Sequence, residues 1–290
     1  MNNESTRIPI ICTFFGIIGI FVFWGYPFFA VLKEKQTNTE KPQQRLQVIK
    51  NTIMLDDKPI YRFIPVGGGE MMMGYTTIIP TSINDTTYKV PESHYEKKIL
   101  RSYLLGETPV TVNLWEYIMH GVIFSNDAIE EKETLYVGDK TEEEWKNFIE
   151  KLSAITGRKF RLPTNEEWEY AARGGQESKG YKYAGSDNLD EVARYKDNTP
   201  DTYFRQGRMK KPNEIGFYDM SGGVHELTSS KLSDVNVFIQ QLVKTGNNVD
   251  LDHSISRGGS WDSEAEECAT RDMKQNKIHS RTGARLVLEY

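Results

Sequence analysis

The 290-residue chain holds only two cysteines, Cys12 and Cys268. One lies in an apolar run near the start and the other near the end, so no disulfide framework can hold this fold together. Histidine is scarce as well. His94, His120, His225, His253 and His279 show none of the HxH, HxxxH or HxxE spacings that bring two metal ligands onto one face. Positive charge is not in excess. The formal net charge is -5 and Lys and Arg are scattered, which argues against a nucleic-acid partner. Gly67-Gly68-Gly69 lacks the following helix and lysine of a phosphate-binding loop, and no nucleophile elbow occurs. Internal repeats and low-complexity tracts are missing too.

Against these absences stands one long apolar run. Residues 8–32 carry no charge and are dense in Ile, Phe and Val. About 20 such residues cross the hydrocarbon layer of a membrane. The run is too long for a signal-peptide core, and Pro27-Phe28-Phe29-Ala30 is a poor cleavage site. Residues 1–32 therefore read as an uncleaved, single-pass membrane anchor. Its orientation is ambiguous from charge: Arg7 precedes the run, whereas Lys33, Lys35, Lys41 and Arg45 follow it, which by itself favours a cytoplasmic domain.

Residues 33–58 are rich in Lys, Gln, Thr, Asn and Glu and read as a polar linker, partly helical near Arg45–Lys50. The globular domain is expected over 59–290. Ile60–Val66 reads as a strand ending in the Gly67–Gly69 turn, and Met71-Met72-Met73 as a strand alternating between core and surface. Residues 76–92 read as an irregular loop and Ile99–Leu105 as one strand. Thr111 is a helix N-cap for Val112–Gly121, and Thr141 with Glu144 fits a capping box. Thr164 caps a helix over Asn165–Arg173 that puts Trp168, Ala171 and Ala172 on one apolar face. Residues 176–215 have few aliphatics and little expected regular structure.

Four blocks stand out in order: Arg161-Leu162-Pro163-Thr164-Asn165-Glu166-Glu167-Trp168-Glu169-Tyr170-Ala171-Ala172-Arg173-Gly174-Gly175; Gly216-Phe217-Tyr218-Asp219-Met220-Ser221-Gly222-Gly223-Val224-His225-Glu226-Leu227; Arg257-Gly258-Gly259-Ser260-Trp261; and Gly283-Ala284-Arg285-Leu286-Val287. This series resembles the formylglycine-generating (sulfatase-modifying factor) family over roughly residues 60–290. The resemblance implies one α+β domain of C-type lectin-like architecture with much irregular structure, preceded here by one transmembrane helix. It also implies export: anchored bacterial relatives place the domain on the periplasmic, extracytoplasmic side.

The family's chemistry is oxidation of a substrate cysteine by copper held on two cysteines. Counting on from Gly258-Gly259-Ser260, those positions are Ser263 and Cys268. A hydroxyl cannot replace a thiolate toward Cu(I), so copper is not expected, and Cys268 reads first as a small core residue. Ser260, Ser263 and Cys268 stay as the degenerate catalytic set. Calcium is the cofactor the resemblance leaves open. Asp197, Asn198 and Glu226 are its candidate ligands, although the family's Asn is Gly223 here. His225, which replaces a family Trp, together with Trp261, Arg271 and Arg285, are carried as cleft candidates. Arg161, Trp168 and Trp261 read as framework. Asp262, Glu264, Glu266, Glu267, Arg271 and Asp272 read as a solvated loop around Cys268.

Two functions follow. The first is a binding or assembly module of the cell envelope, without formylglycine-generating activity, whose partner is a protein, peptide or envelope component. The second is an enzyme of the sulfatase-maturation or tailoring group with altered chemistry.

Overall fold

In the computed structural model, the described residues are 45–74, 76–80, 85–89, 95–122, 135–199, 206–235, 252–275 and 282–290. The expected anchor and the first part of the linker lie outside them. Among the described residues no helix is long and apolar enough to cross a membrane.

The first strands are β1 (Leu46–Ile49), β2 (Thr52–Leu55) and β3 (Lys58–Val66), joined as antiparallel neighbours. The expectation of a linker up to residue 58 is therefore corrected. Leu46, Ile53 and Leu55 bury their side chains, and that apolar burial holds the hairpin on the domain. Next come β4 (Gly69–Met73), β5 (Thr76–Pro80), β6 (Asp85–Lys89), β7 (Glu96–Leu100) and β8 (Tyr103–Gly106). The irregular loop expected over 76–92 thus contains an antiparallel pair, β5 with β6. The single strand expected over Ile99–Leu105 is two strands, broken at Arg101-Ser102. In β4 the methionines alternate as expected: Met71 and Met73 are buried and Met72 is exposed.

Three helices begin at the caps legible in sequence. Helix α1 (Val112–His120) starts at Thr111, whose hydroxyl accepts the Leu114 N–H. Helix α2 (Glu142–Thr156) has the full capping box between Thr141 and Glu144. After β9 (Phe160–Arg161), helix α3 (Asn165–Ala172) has a second box between Thr164 and Glu167, and Arg161 clasps the same Glu167 at 2.6 and 2.7 Å. Among its described residues, the stretch 176–215 holds the short α4 (Leu189–Val192) and one-turn pieces. The chain closes with β10 (His225–Lys231), β11 (Ser254–Arg257), β12 (Asp272–Gln275), β13 (Thr282–Gly283) and β14 (Val287–Leu288).

One six-stranded sheet runs β1-β2-β3-β8-β14-β9 and another runs β13-β10-β11-β12-β5-β6; β4 and β7 form a separate ribbon. The C-terminal β14 pairs with β8 and β9, so the end of the chain sits inside the first sheet. Alternation then splits the core. Leu105 and Val287, opposite each other, enter one cluster with Trp168, Phe217 and Ile255. Leu104 and Leu288 enter a second with Trp115, Trp145 and Phe148 from α1 and α2. Both faces of this sheet are thus buried at β8 and β14.

Candidate functional site

The four blocks meet in space through buried charge. Arg285 is fully enclosed and sends Nε to Glu226 Oε2 at 2.5 Å and Nη2 to Oε1 at 2.6 Å. Its remaining N–H groups reach the carbonyls of Gly106, Glu107 and Tyr218. Trp168 Nε1 donates to Glu226 Oε2 at 2.7 Å. A second clamp lies alongside: Arg257 donates to Glu169 Oε2 at 2.7 Å, to Asn165 Oδ1 at 2.6 Å, and to the carbonyls of Thr270 and Asp272. In both clamps the enclosed carboxylate is matched by an enclosed guanidinium, which offsets the cost of burying charge.

These contacts correct several expectations. Glu226 is not available as a calcium ligand, because both its oxygens are committed to Arg285 and Trp168. Arg285 lines no cleft; it is interior framework. Asn198 spends its side chain on a local turn: Oδ1 accepts the Tyr195 N–H and Nδ2 donates to Asp190 and Ala193. Asp197 is exposed beside it. Among the described residues no group of three or more His, Cys, Asp or Glu side chains is placed to hold a metal ion. Arg271 is exposed and lies over the Tyr95 ring at 5.7 Å. In the loop expected to be solvated, Asp272 is buried instead, the first residue of β12.

The structure does bring Ser260, Ser263, His225 and Trp261 together. Two glycine turns interlock to do so. Gly222 donates its N–H to Gly258 O at 2.7 Å, and Trp261 donates to Gly223 O at 2.9 Å. Gly259 has φ of 70°, and a Cβ on it would stand 2.7 Å from Cys268 Sγ, so only glycine lets the loop pass this close. Beyond it, Ser260 N–H donates to Ser263 Oγ at 3.0 Å, the two hydroxyls lie 3.1 Å apart, and Ser260 Oγ donates to Asp262 at 2.7 Å. His225 Nε2, on the first residue of β10, lies 3.5 Å from Ser263 Oγ. His225, Trp261 and Asp262 are half-buried, while both serines are enclosed. A chain of oxygen and nitrogen groups therefore runs from His225 through Ser263 and Ser260 to Asp262, able to move a proton along its length.

Cys268 stands apart in chemistry. It is fully buried in a small cluster with Tyr183, Leu189, Val192, Ala193 and Tyr195. The residues present do not fit a two-thiolate Cu(I) site: Ser263 offers a neutral hydroxyl that already accepts an amide proton, and the thiol of Cys268 is part of a packed core.

Sequence reasoning missed a second polar centre. Asp219, at φ of 54°, is buried, and its Oδ2 accepts the Tyr136 hydroxyl and the Arg208 N–H. Burial pushes its carboxyl above the usual range, against the hydrogen bonds from Tyr136 and Arg208 and the charges of Arg285 and Arg194. Arg194, next to it in charge, is buried too. The only signal in the sequence was an arginine set between Ala193 and Tyr195 in an otherwise buried run.

The two sheets, the ribbon and the glycine-locked loops define a mixed α+β domain held by internal arginine–carboxylate clamps. The Sulfatase-modifying factor enzyme 1-like domain model matches residues 51–290, and the chain belongs to that family. Among solved structures it is similar to Treponema denticola variable protein 1, with TM-score 0.60 and 21% identity over 86% of this chain and 100% of that one. CarF is similar at TM-score 0.54 and 21% identity, over 79% of this chain and 98% of that chain. PvdO from Pseudomonas aeruginosa is similar at TM-score 0.56 and 17% identity, over 79% and 94% respectively. In sequence, a protein of Paenibacillus barcinonensis named Chaperone protein LppX is 45% identical over 23% of this chain. The chain spans 30% of that relative's length.

Proposed function

We propose that this chain is a binding or assembly module of the cell envelope, anchored by residues 1–32, that has given up copper-dependent formylglycine generation. The observation that carries the reading is Ser263. It occupies the place of a thiolate and is held by Ser260 N–H and beside His225, a hydroxyl network in which a soft metal has no second sulfur. The name of the Paenibacillus relative, a chaperone, supports assembly work over oxidation. The test is to titrate the purified protein with Cu(I) against a competing chelator and then incubate it with copper and a CxPxR peptide. Only weak copper binding and unchanged peptide mass are expected. Tight stoichiometric copper, or conversion of the peptide cysteine to formylglycine with turnover, overturns the proposal.

The second reading, a modifying enzyme with altered chemistry, is favoured by one observation: the His225–Ser263–Ser260–Asp262 chain, which can relay a proton. A serine-directed fluorophosphonate probe separates the two. Labelling of Ser263 that disappears in His225→Ala supports the enzyme; an unlabelled Ser263 supports the binding module.

A further inference from the structure

Arg194 is 6% exposed, yet it makes no ion pair or side-chain hydrogen bond among the described residues. Its neighbours in sequence, Ala193 and Tyr195, both pack into the cluster around Cys268. Alternation along the extended backbone turns the Arg194 side chain to the opposite side. None of its nitrogens is among the enclosed, unpartnered atoms of the molecule, so solvent reaches the tip of the guanidinium while the stem is covered. Its charge is met only at a distance by Asp219, whose Oδ2 is already taken by Tyr136 and Arg208. Burial accordingly pulls the guanidinium below its usual range, opposed by Asp219.

The backbone holds this cation rigidly. Arg194 bridges Gly222, and its carbonyl accepts the Gly223 N–H at 2.8 Å. A Cβ on Gly222, at φ of 74°, would stand 2.1 Å from the Arg194 carbonyl oxygen, so the turn admits only glycine at this contact. The same turn accepts the Trp261 N–H and leads into His225, which places Arg194 on the flank of the serine–histidine corner. Elsewhere in the molecule, the buried guanidiniums of Arg257 and Arg285 are matched donor by donor. A guanidinium with a covered stem and a solvent-reached tip that no protein group occupies is placed to take up an incoming anion.

We propose that Arg194 is the recognising residue of a carboxylate-binding site beside the Gly222–Gly223 turn, and that its ligand is a carboxylate carried by a peptide. The planar guanidinium fork accepts a carboxylate on two parallel hydrogen bonds. A monoanion suits the site better than a phosphate dianion, because Asp219 adds negative charge close by and repels the second charge. The peptide as occupant rests on the binding-module reading; the carboxylate site itself stands on Arg194 alone.

The test uses the purified full chain in detergent, with binding followed by isothermal titration and thermal melting. N-acetyl-Gly-Gly with a free C-terminus and N-acetyl-Gly-Glu amide present the two sources of carboxylate; N-acetyl-Gly-Gly amide and inorganic phosphate are the comparisons. Saturable binding of at least one of the two acids is expected, with no binding of the amide and weaker binding of phosphate. Arg194→Gln should weaken the acid about tenfold or more, by loss of a charge-assisted pair of bonds. The unliganded Arg194→Met protein should melt at or above the parent, since Met keeps an apolar stem in the covered part and removes only a tip that pairs with nothing among the described residues. Three outcomes overturn the site: neither acid binding better than the amide, binding unchanged in Arg194→Gln, or unliganded Arg194→Met melting well below the parent. Phosphate binding tighter than either acid overturns the ligand class. Copper titration of the same sample scores the binding-module reading separately.

Discussion

Arg257 and Arg285 are wholly enclosed, and each is matched by a carboxylate and by carbonyl oxygens. Arg194 is almost as deep, and among the described residues no side chain pairs with it. The first two tie the recognisable blocks to one another: Arg257 to the Asn165–Glu169 turn of α3, and Arg285 to Glu226 at the start of β10. The difference teaches that the conspicuous residues of this family pattern serve mainly to close the interior. Around the Gly222–Gly223 turn the matching is thinner: Arg194 makes no ion pair among the described residues, and His225 Nε2 stands 3.5 Å from Ser263 Oγ. Function in this chain is to be sought where the internal matching stops.

The comparison breaks first at Trp168, which is both packed and hydrogen-bonded. Trp168→Ala should destabilise by about 3–5 kcal/mol through the cavity alone, a large share of the total for one domain. Urea unfolding measures it, and a parent-like midpoint would move Trp168 from framework to site. Next comes Glu226→Gln, which leaves Arg285 enclosed without its counter-ion. A loss of about 3–5 kcal/mol is expected. The double variant Glu226→Leu with Arg285→Met should lose less than Glu226→Gln, because it removes the stranded charge. Should the double variant be the less stable one, the pair is worth more than its desolvation and the clamp reading needs revision.

What was legible in sequence was local. Thr141 with Glu144 and Thr164 with Glu167 formed their capping boxes because the donors and acceptors lie within one turn. Met71 to Met73 alternated because a strand has period two. The polar hairpins were not legible. Residues 46–55 read as a linker when the polar stretch before them is carried on too far: β1 is a four-residue edge strand with three apolar residues, too short to stand out from it. β6 is likewise an edge strand. Among the site residues, the contact of Ser260 with Ser263 is local, three residues apart, whereas the approach of His225 to Ser263 spans 38 residues. The fates of Glu226 and Arg285 could not be anticipated, since their bond spans 59 residues and no local spacing encodes it.

A smaller effect sharpens the same contrast. Thr164→Ala removes the acceptor of the Glu167 N–H but leaves Arg161 on Glu167. About 1 kcal/mol should be lost, with Arg257 and Glu169 still paired. Hydrogen exchange should show fraying confined to the first turn of α3; a global loss of protection would mean that the cap also governs the clamp.

The smallest effect at neutral pH is a slope rather than an offset, and it lies in the loosely matched region. Asp219 is buried with Tyr136 and Arg208 N–H on one oxygen and no ion pair in contact. Burial raises its folded pKa above the ordinary carboxylate value, in spite of those hydrogen bonds and the charges of Arg285 and Arg194. The native state therefore holds a proton that the unfolded chain has released, in the window between the ordinary value of 3.8 and the raised one. In that window stability falls as pH rises. Asp219 thus contributes most below the unfolded pKa, and its contribution is lost as pH climbs through the folded pKa. Asp219→Asn keeps an oxygen to accept both hydrogen bonds and removes the titration. The stability of the parent minus that of Asp219→Asn should grow as pH falls through the window and level off beneath it. Urea midpoints at a series of pH values measure this difference. A difference that instead shrinks toward low pH would mean that the hydrogen bonds from Tyr136 and Arg208 and the charges of Arg285 and Arg194 outweigh burial and hold the folded pKa below 3.8.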